Sequence, residues 1–246
     1  MMSHPVIPDS ARPCLWMSAG LLTYRLCDRE FDCERCPLDA ALRRGELAGS
    51  HDHEALLAPN RDTSDFPEDR RYTAGHCWVQ VLDGQDGGRL RLGLDTFAAA
   101  IIGRCGGITW NPPARSLAQG DPVCRLDLGL GAMWIGAPLA GFVVKENPAL
   151  QDHPEQLVTA NYTEGWIAEF QVVDMADMEQ LVPAELARER SRLDLQRFRR
   201  RVAMHLLADD AGRVGRTLAD GGELLTDLRQ MLGGPKYLDI IREFIY

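Results

Sequence analysis

The chain has 246 residues, 45% of them hydrophobic and 26% charged, with a formal net charge of −9. Those proportions belong to an ordinary folded protein, and the longest apolar runs, such as residues 97–102, are too short to span a bilayer. The acidic balance excludes nucleic acid as the main partner, because phosphate binding relies on a basic footprint.

The first residues, MMSHPVIPDSARPC, carry no basic-then-apolar export pattern, so a cytoplasmic location and no membrane insertion are expected. Residues 1–62 read as a cysteine-rich leader. Cys27, Cys33 and Cys36 fall in CDREFDCERCP, with Cys14 upstream and HDH (51–53) downstream. Thiolates two residues apart can converge on one metal from a tight turn. In a cytoplasmic protein such a cluster points to metal or redox chemistry more than to a structural disulfide. The expected ligands are Cys27, Cys33, Cys36 and Cys14, with His51 and His53 as alternatives for the fourth position. Three cysteines with an open position suit a [4Fe–4S] cluster that does chemistry. A closed set of four suits structural zinc or electron transfer, and the spacing leaves both open. The competing reading makes these cysteines small buried hydrophobes.

The polar link LAPNRDTSDFPEDRR (57–71) reads as a loop. Beyond it, GHCWVQVLD and RLRLGL alternate apolar and polar residues across the turn-forming GQDGG, which predicts a hairpin. Asp95 stands where a cap belongs, ahead of a short helix TFAAAII. Strands are predicted at PVCRLDL, GFVVKE and WIAEFQVV, and Cys77, Cys105 and Cys124 read as packing residues. From residue 176 to 246 the pattern is helical. Residues 181–207 hold Pro183 in the first turn and no later breaker, and the arginine run RERSRLDLQRFRRR (188–201) reads as a solvated face. Two shorter amphipathic helices follow. Their apolar stripe, Leu224, Leu228, Met231, Ile240 and Phe244, is expected to pack on the β region. Homo-oligomer or partner contact is its second use. No P-loop, GxGxxG or nucleophile–base arrangement is present.

Five pieces of the β region stand in a recognisable order: GHCWV (75–79), RLGLDTFAAAIIG (91–103), GDPVCRLD (120–127), APLAGFVVKENPAL (137–150) and NYTEGWI (161–167). Together they resemble the H-protein of the glycine cleavage system, a lipoyl-carrying shuttle. The family pattern is a HEWV-like strand, a VGLTDFAQ-like strand into helix, a GD-x5-ESVKA hairpin, SPVSGEVVEVN and PYGEGW. The resemblance implies an α+β fold: a barrel-sandwich hybrid β domain over residues 70–175, between the leader and the helical region. It also implies that a lysine at the tip of the hairpin should carry lipoate. Counting on from Gly120 and back from Ala137 both reach residue 130, and residue 130 is Leu130. The chain has only two lysines, Lys145 and Lys236. Lys145 falls in the strand GFVVKE, beyond the hairpin.

The expected function is therefore an H-protein-like module without a lipoylation site, acting as a non-catalytic binding or scaffold component. Protein partners would dock on its β domain, and its cofactor would be an Fe–S cluster or Zn rather than lipoate. The alternatives are a lipoyl carrier of the glycine cleavage system, or an Fe–S or thiol electron-transfer protein. Leu128, Leu130, Met133 and Trp134 are expected to gather near the hairpin tip, covered by the leader, the tail or a partner.

Overall fold

A computed structural model describes residues 12–19, 22, 25–43, 65–82, 88–111, 116–210, 229 and 232–245. The chain divides into two compact units, Met1–Asn60 with Leu193–Ile240, and Arg61–Arg192 with Ile241–Tyr246.

The second unit is built on antiparallel strands. In chain order they are β1 Arg70–Tyr72, β2 Cys77–Val81, β3 Arg89–Leu94, β4 Gly107–Trp110, β5 Pro122–Asp127, β6 Ala132–Gly136, β7 Gly141–Glu146 and β8 Ala168–Val172. One sheet runs β1-β2-β3-β8-β7 and a second runs β4-β5-β6. The predicted hairpin is β2 with β3, in a register that pairs Val79 with Leu92. Alternation holds from Cys124 to Asp127 in β5, with Cys124 and Leu126 buried and Arg125 and Asp127 exposed, while Val123, at a register shift in the pairing with β6, is buried as well. β1, β4 and β6 lacked a predictive pattern of their own. β1 and β4 are only 3 and 4 residues long, too short for a period of two to stand out.

Two motif glycines are required by contact rather than by backbone freedom. A Cβ on Gly93 would run into the Trp78 indole, and one on Gly141 into the Gln171 carbonyl and the Phe170 ring. Trp78 is fully buried with Phe66, Tyr72, Ala184 and Ala187, and its indole N–H donates to the Asn161 carbonyl at 3.0 Å.

Helix α3 (Thr96–Ile102) starts at Asp95, whose carboxylate accepts the Ala98 N–H at 2.9 Å. This is the predicted cap. Its other oxygen lies 2.8 Å from His76 Nδ1. Since a carboxylate can only accept, Nδ1 carries the proton. His76 is 2% exposed, adopts φ +62° and lies against Phe97 with ring centroids 4.1 Å apart. It is a structural residue at the entry to β2. Short helical turns Ala149–Asp152 (α4) and Gln156–Thr159 (α5) join β7 to β8.

In the first unit, Pro13 bridges Leu26, and short helices Leu15–Ser18 (α1) and Pro37–Arg43 (α2) flank a 3-10 turn at Cys33–Arg35. The long helix α6 (Ala184–Asp210) begins one residue after Pro183 and passes from one unit into the other between Arg192 and Leu193. Helix α7 (Gly234–Arg242) is the last described helix. Leu224, Leu228 and Met231 of the expected stripe lie outside the described residues. Ile240 and Phe244 are buried. No helix among the described residues is long and apolar enough to cross a membrane.

The arginine run on α6 corrects the sequence expectation. Most of its arginines are exposed, but Arg199 is 1% exposed. Leu195, Phe198, Val202, Ala203 and Leu206 are buried on the same stripe. Spacing from Leu195 and to Val202 puts residue 199 on the inward face.

Candidate functional site

The predicted hairpin is formed by β5 and β6, with Asp127 paired to Ala132 across the turn. The Leu128 N–H donates to the Gly131 carbonyl at 2.9 Å, closing the loop, and Gly129 adopts φ +71°, which suits glycine. Gly129 N–H also donates to the Asp127 carboxylate at 2.9 Å. Leu130 sits in this turn, half-buried. The four apolar residues expected to gather near the tip do not form one exposed patch. Leu128 and Met133 are buried, and Trp134 is 51% exposed on the opposite face. Strand alternation divides them, because Met133 and Trp134 are consecutive in β6. The C-terminal residues of the same unit reach this neighbourhood. Arg242 donates to the Ala132 carbonyl at 2.7 Å, and Phe244 lies against Phe97 with ring centroids 5.7 Å apart.

Lys145 is an exposed residue of β7, paired with Glu169, with its ammonium 5.7 Å from the Trp166 ring centroid. It lies on a strand, outside the turn between β5 and β6.

The four leader cysteines line one small cavity of about 20 Å³, together with Trp16, Phe31 and their neighbours. None is disulfide-bonded, and all four are partly exposed. Cys27 Sγ accepts the Phe31 N–H at 3.2 Å. This contact needs a turn in which Glu30 and Phe31 adopt φ +53° and +65°, a region side chains avoid. Burial raises the Cys14 thiol pKa, while the N–H groups of Trp16 and Met17 pull it down without closing a cap hydrogen bond. Burial pushes Cys33 up to about 12, opposed mainly by the Arg199 guanidinium. A thiol in that state must lose its proton before it can ligate a metal. Among the described residues no group of three or more His, Cys, Asp or Glu is arranged to hold a metal ion. His51 and His53 lie outside the described residues.

The other three cysteines differ. Cys77, Cys105 and Cys124 are at most 3% exposed. Burial pushes Cys77 up to about 12 and Cys105 to about 11, and raises Cys124 well above its ordinary value. They are packing residues.

The antiparallel sheets, the capped helix and the turn between β5 and β6 define an α+β module of the lipoyl-like barrel-sandwich class. The family model for the glycine cleavage H-protein matches residues 70–192, and the chain belongs to that family. The glycine cleavage system H protein of Alteromonas mediterranea is 30% identical over 122 residues, 50% of this chain and 92% of its own length. That of Thermus thermophilus is 31% identical over 121 residues, 49% of this chain and 91% of its own. The crystal structure of the H protein from Mycobacterium marinum matches with a TM-score of 0.44 and 24% identity. It covers 52% of this chain and 98% of the other.

Proposed function

We propose that this chain is an H-protein-like module that carries no lipoyl arm and works as a non-catalytic docking component. Its leader would add a thiolate-ligated metal centre, either zinc or an iron–sulfur core. The observation that carries the first part is Leu130 in the turn between β5 and β6, where the family's hairpin lysine is expected. A leucine has no amine to acylate. The chain's two lysines, Lys145 and Lys236, are exposed but lie on a strand and in a helix rather than in a hairpin turn. Support for the second part is the cavity shared by Cys14, Cys27, Cys33 and Cys36. A cavity of about 20 Å³ has room for one water-sized sphere, so a single ion fits it more readily than a cluster.

Co-expression with lipoate and a lipoate ligase, followed by intact mass measurement, tests the first part. The unaltered chain should gain no lipoyl mass, whereas Leu130→Lys should gain it by restoring an amine in the turn. Lipoyl mass on the unaltered chain would overturn the proposal, and its loss in Lys145→Arg would then locate the modification. Elemental analysis of anaerobically purified protein tests the second part.

A further inference from the structure

The outward face of strands β3, β8 and β7, neighbours in one sheet, carries more positive charge than the fold consumes, in a chain of net charge −9. Leu90, Leu92, Ala168 and Phe170 are fully buried, so alternation turns the residues between them outward. Register sets those residues in two rows. Arg91 stands opposite Glu169, and Glu169 opposite Lys145. In the next row Arg89 stands opposite Gln171, and Gln171 opposite Phe142.

Glu169 is engaged twice. One of its oxygens meets Arg89 Nη2 at 3.0 Å and the other Arg91 Nη2 at 3.1 Å. A guanidinium has five N–H donors, and Nε of each of these arginines is buried with no acceptor. Lys145, across from the same carboxylate, has no acidic partner among the described residues. Its ammonium lies 5.7 Å from the centroid of the half-buried Trp166 ring, and the Arg91 guanidinium 4.7 Å from it. Three cations thus share one carboxylate. Apolar surface borders them: Phe142 is 38% exposed, and Val173, next on this face after Gln171, is 70% exposed. A lysine on an edge strand deters stray pairing, which is the simpler use of Lys145. That use does not account for two arginines on the central strand β3, nor for exposed Phe142 and Val173 beside them.

We propose that this face docks an acidic segment of a partner protein, whose carboxylates take the unfilled donors of Arg89, Arg91 and Lys145 while its apolar side chains cover Phe142 and Val173. The inference rests on the docking role proposed above and adds the surface and the chemistry of the partner. Charge complementarity selects the sign of that partner, and an arginine against a tryptophan is a pairing that interface centres favour. Nucleic acid fits less well. It would bring a long run of phosphates against a chain of net charge −9, and phosphates offer nothing apolar to Phe142 and Val173.

The test titrates the full chain calorimetrically, at low salt, with a capped twelve-residue peptide of glutamates carrying leucine at every third position. The peptide should bind, and the same peptide with glutamine for glutamate should bind about tenfold or more weakly. Arg91→Gln should weaken binding about tenfold, and Lys145→Gln, at an exposed site, about two- to fivefold. Glu169→Gln should tighten binding about twofold or more, because it removes the carboxylate charge that competes for both arginines. A cluster that only holds the sheet together predicts a loss in Glu169→Gln like that in Arg91→Gln, and that result overturns the inference. So does a failure of the glutamate peptide to bind, or equal binding of its glutamine version. Tighter binding of a single-stranded oligonucleotide of the same charge, or of phosphatidylglycerol vesicles, overturns it as well. If the peptide binds but Arg91→Gln and Lys145→Gln match the unaltered chain, the docking role stands and only this surface falls. Lipoyl mass on the unaltered chain removes the docking-only reading whatever the peptide does.

Discussion

Seven cysteines divide between two regions of this molecule, and the division shows how surroundings decide what a thiol is for. In the β unit Cys77, Cys105 and Cys124 are walled in by apolar strands, and burial keeps them neutral. In the leader Cys14, Cys27, Cys33 and Cys36 remain partly exposed around one cavity. There a backbone N–H points at one sulfur and a buried guanidinium lies beside the loop. An apolar wall leaves the β-unit thiols nothing to do but pack, whereas the leader thiols stay within reach of solvent even where burial outweighs the Arg199 guanidinium and pushes Cys33 up to about 12.

Alkylation should separate the two sets most sharply. With iodoacetamide at pH 8 on the native, metal-free chain, Cys77 and Cys124 should react about 100-fold or more slowly than Cys27 and Cys36, because burial limits both access and thiolate. Peptide mapping by mass spectrometry reads the rates, and equal rates would erase the contrast.

Removing the support of the β unit comes next. Asp95→Ala strips the cap of α3 and removes the carboxylate that meets the buried His76 Nδ1. The expected loss is about 2–4 kcal/mol, from a cap worth about 1 and an orphaned polar group worth about 1–3. Urea unfolding followed by tryptophan fluorescence measures it, and a loss below about 1 kcal/mol would show the pair to be dispensable.

A smaller effect compares like with like. Cys124→Ser places a hydroxyl in an apolar core and should cost about 1–3 kcal/mol. Cys36→Ser, at a partly exposed site, should change metal-free stability by less than about 0.5 kcal/mol. The same unfolding curves decide it.

Alkaline pH should reveal the smallest difference. The Cys77 thiol pKa is raised from 9.0 to about 12 in the folded chain. Its contribution is thus fully present below pH 9 and is lost as pH climbs toward about 12, since only the unfolded chain ionises there. The slope approaches about 1.4 kcal/mol per pH unit for one such group. Cys77→Ala should flatten the fall in stability between pH 9 and pH 10.5, and an unchanged slope would remove Cys77 as its source.

Much of the fold was legible because it depends on neighbours in sequence. The β2–β3 hairpin followed from alternation around a glycine-rich turn, and the start of α3 from one aspartate ahead of an apolar run. The family was legible for the same reason, through short motifs with fixed internal spacing. What escaped was long-range. The split of Met133 from Trp134 depends on which face of β6 meets the core. The burial of Arg199 depends on what packs against α6, since a guanidinium on a helix is ordinarily solvated.

By itself, then, the sequence determined the β2–β3 hairpin, strands β5, β7 and β8, the capped start of α3, the chain's place in the H-protein family and the leucine in the hairpin turn. All of these are local patterns of side-chain type, read through the periods of strand and helix. Only the tertiary structure decided that Met133 and Trp134 part to opposite faces and that Arg199 is buried against the loop holding Phe31 and Glu34. Contact between residues 31–34 and residue 199 arises from packing across more than 160 positions, and no local propensity encodes a contact at that distance.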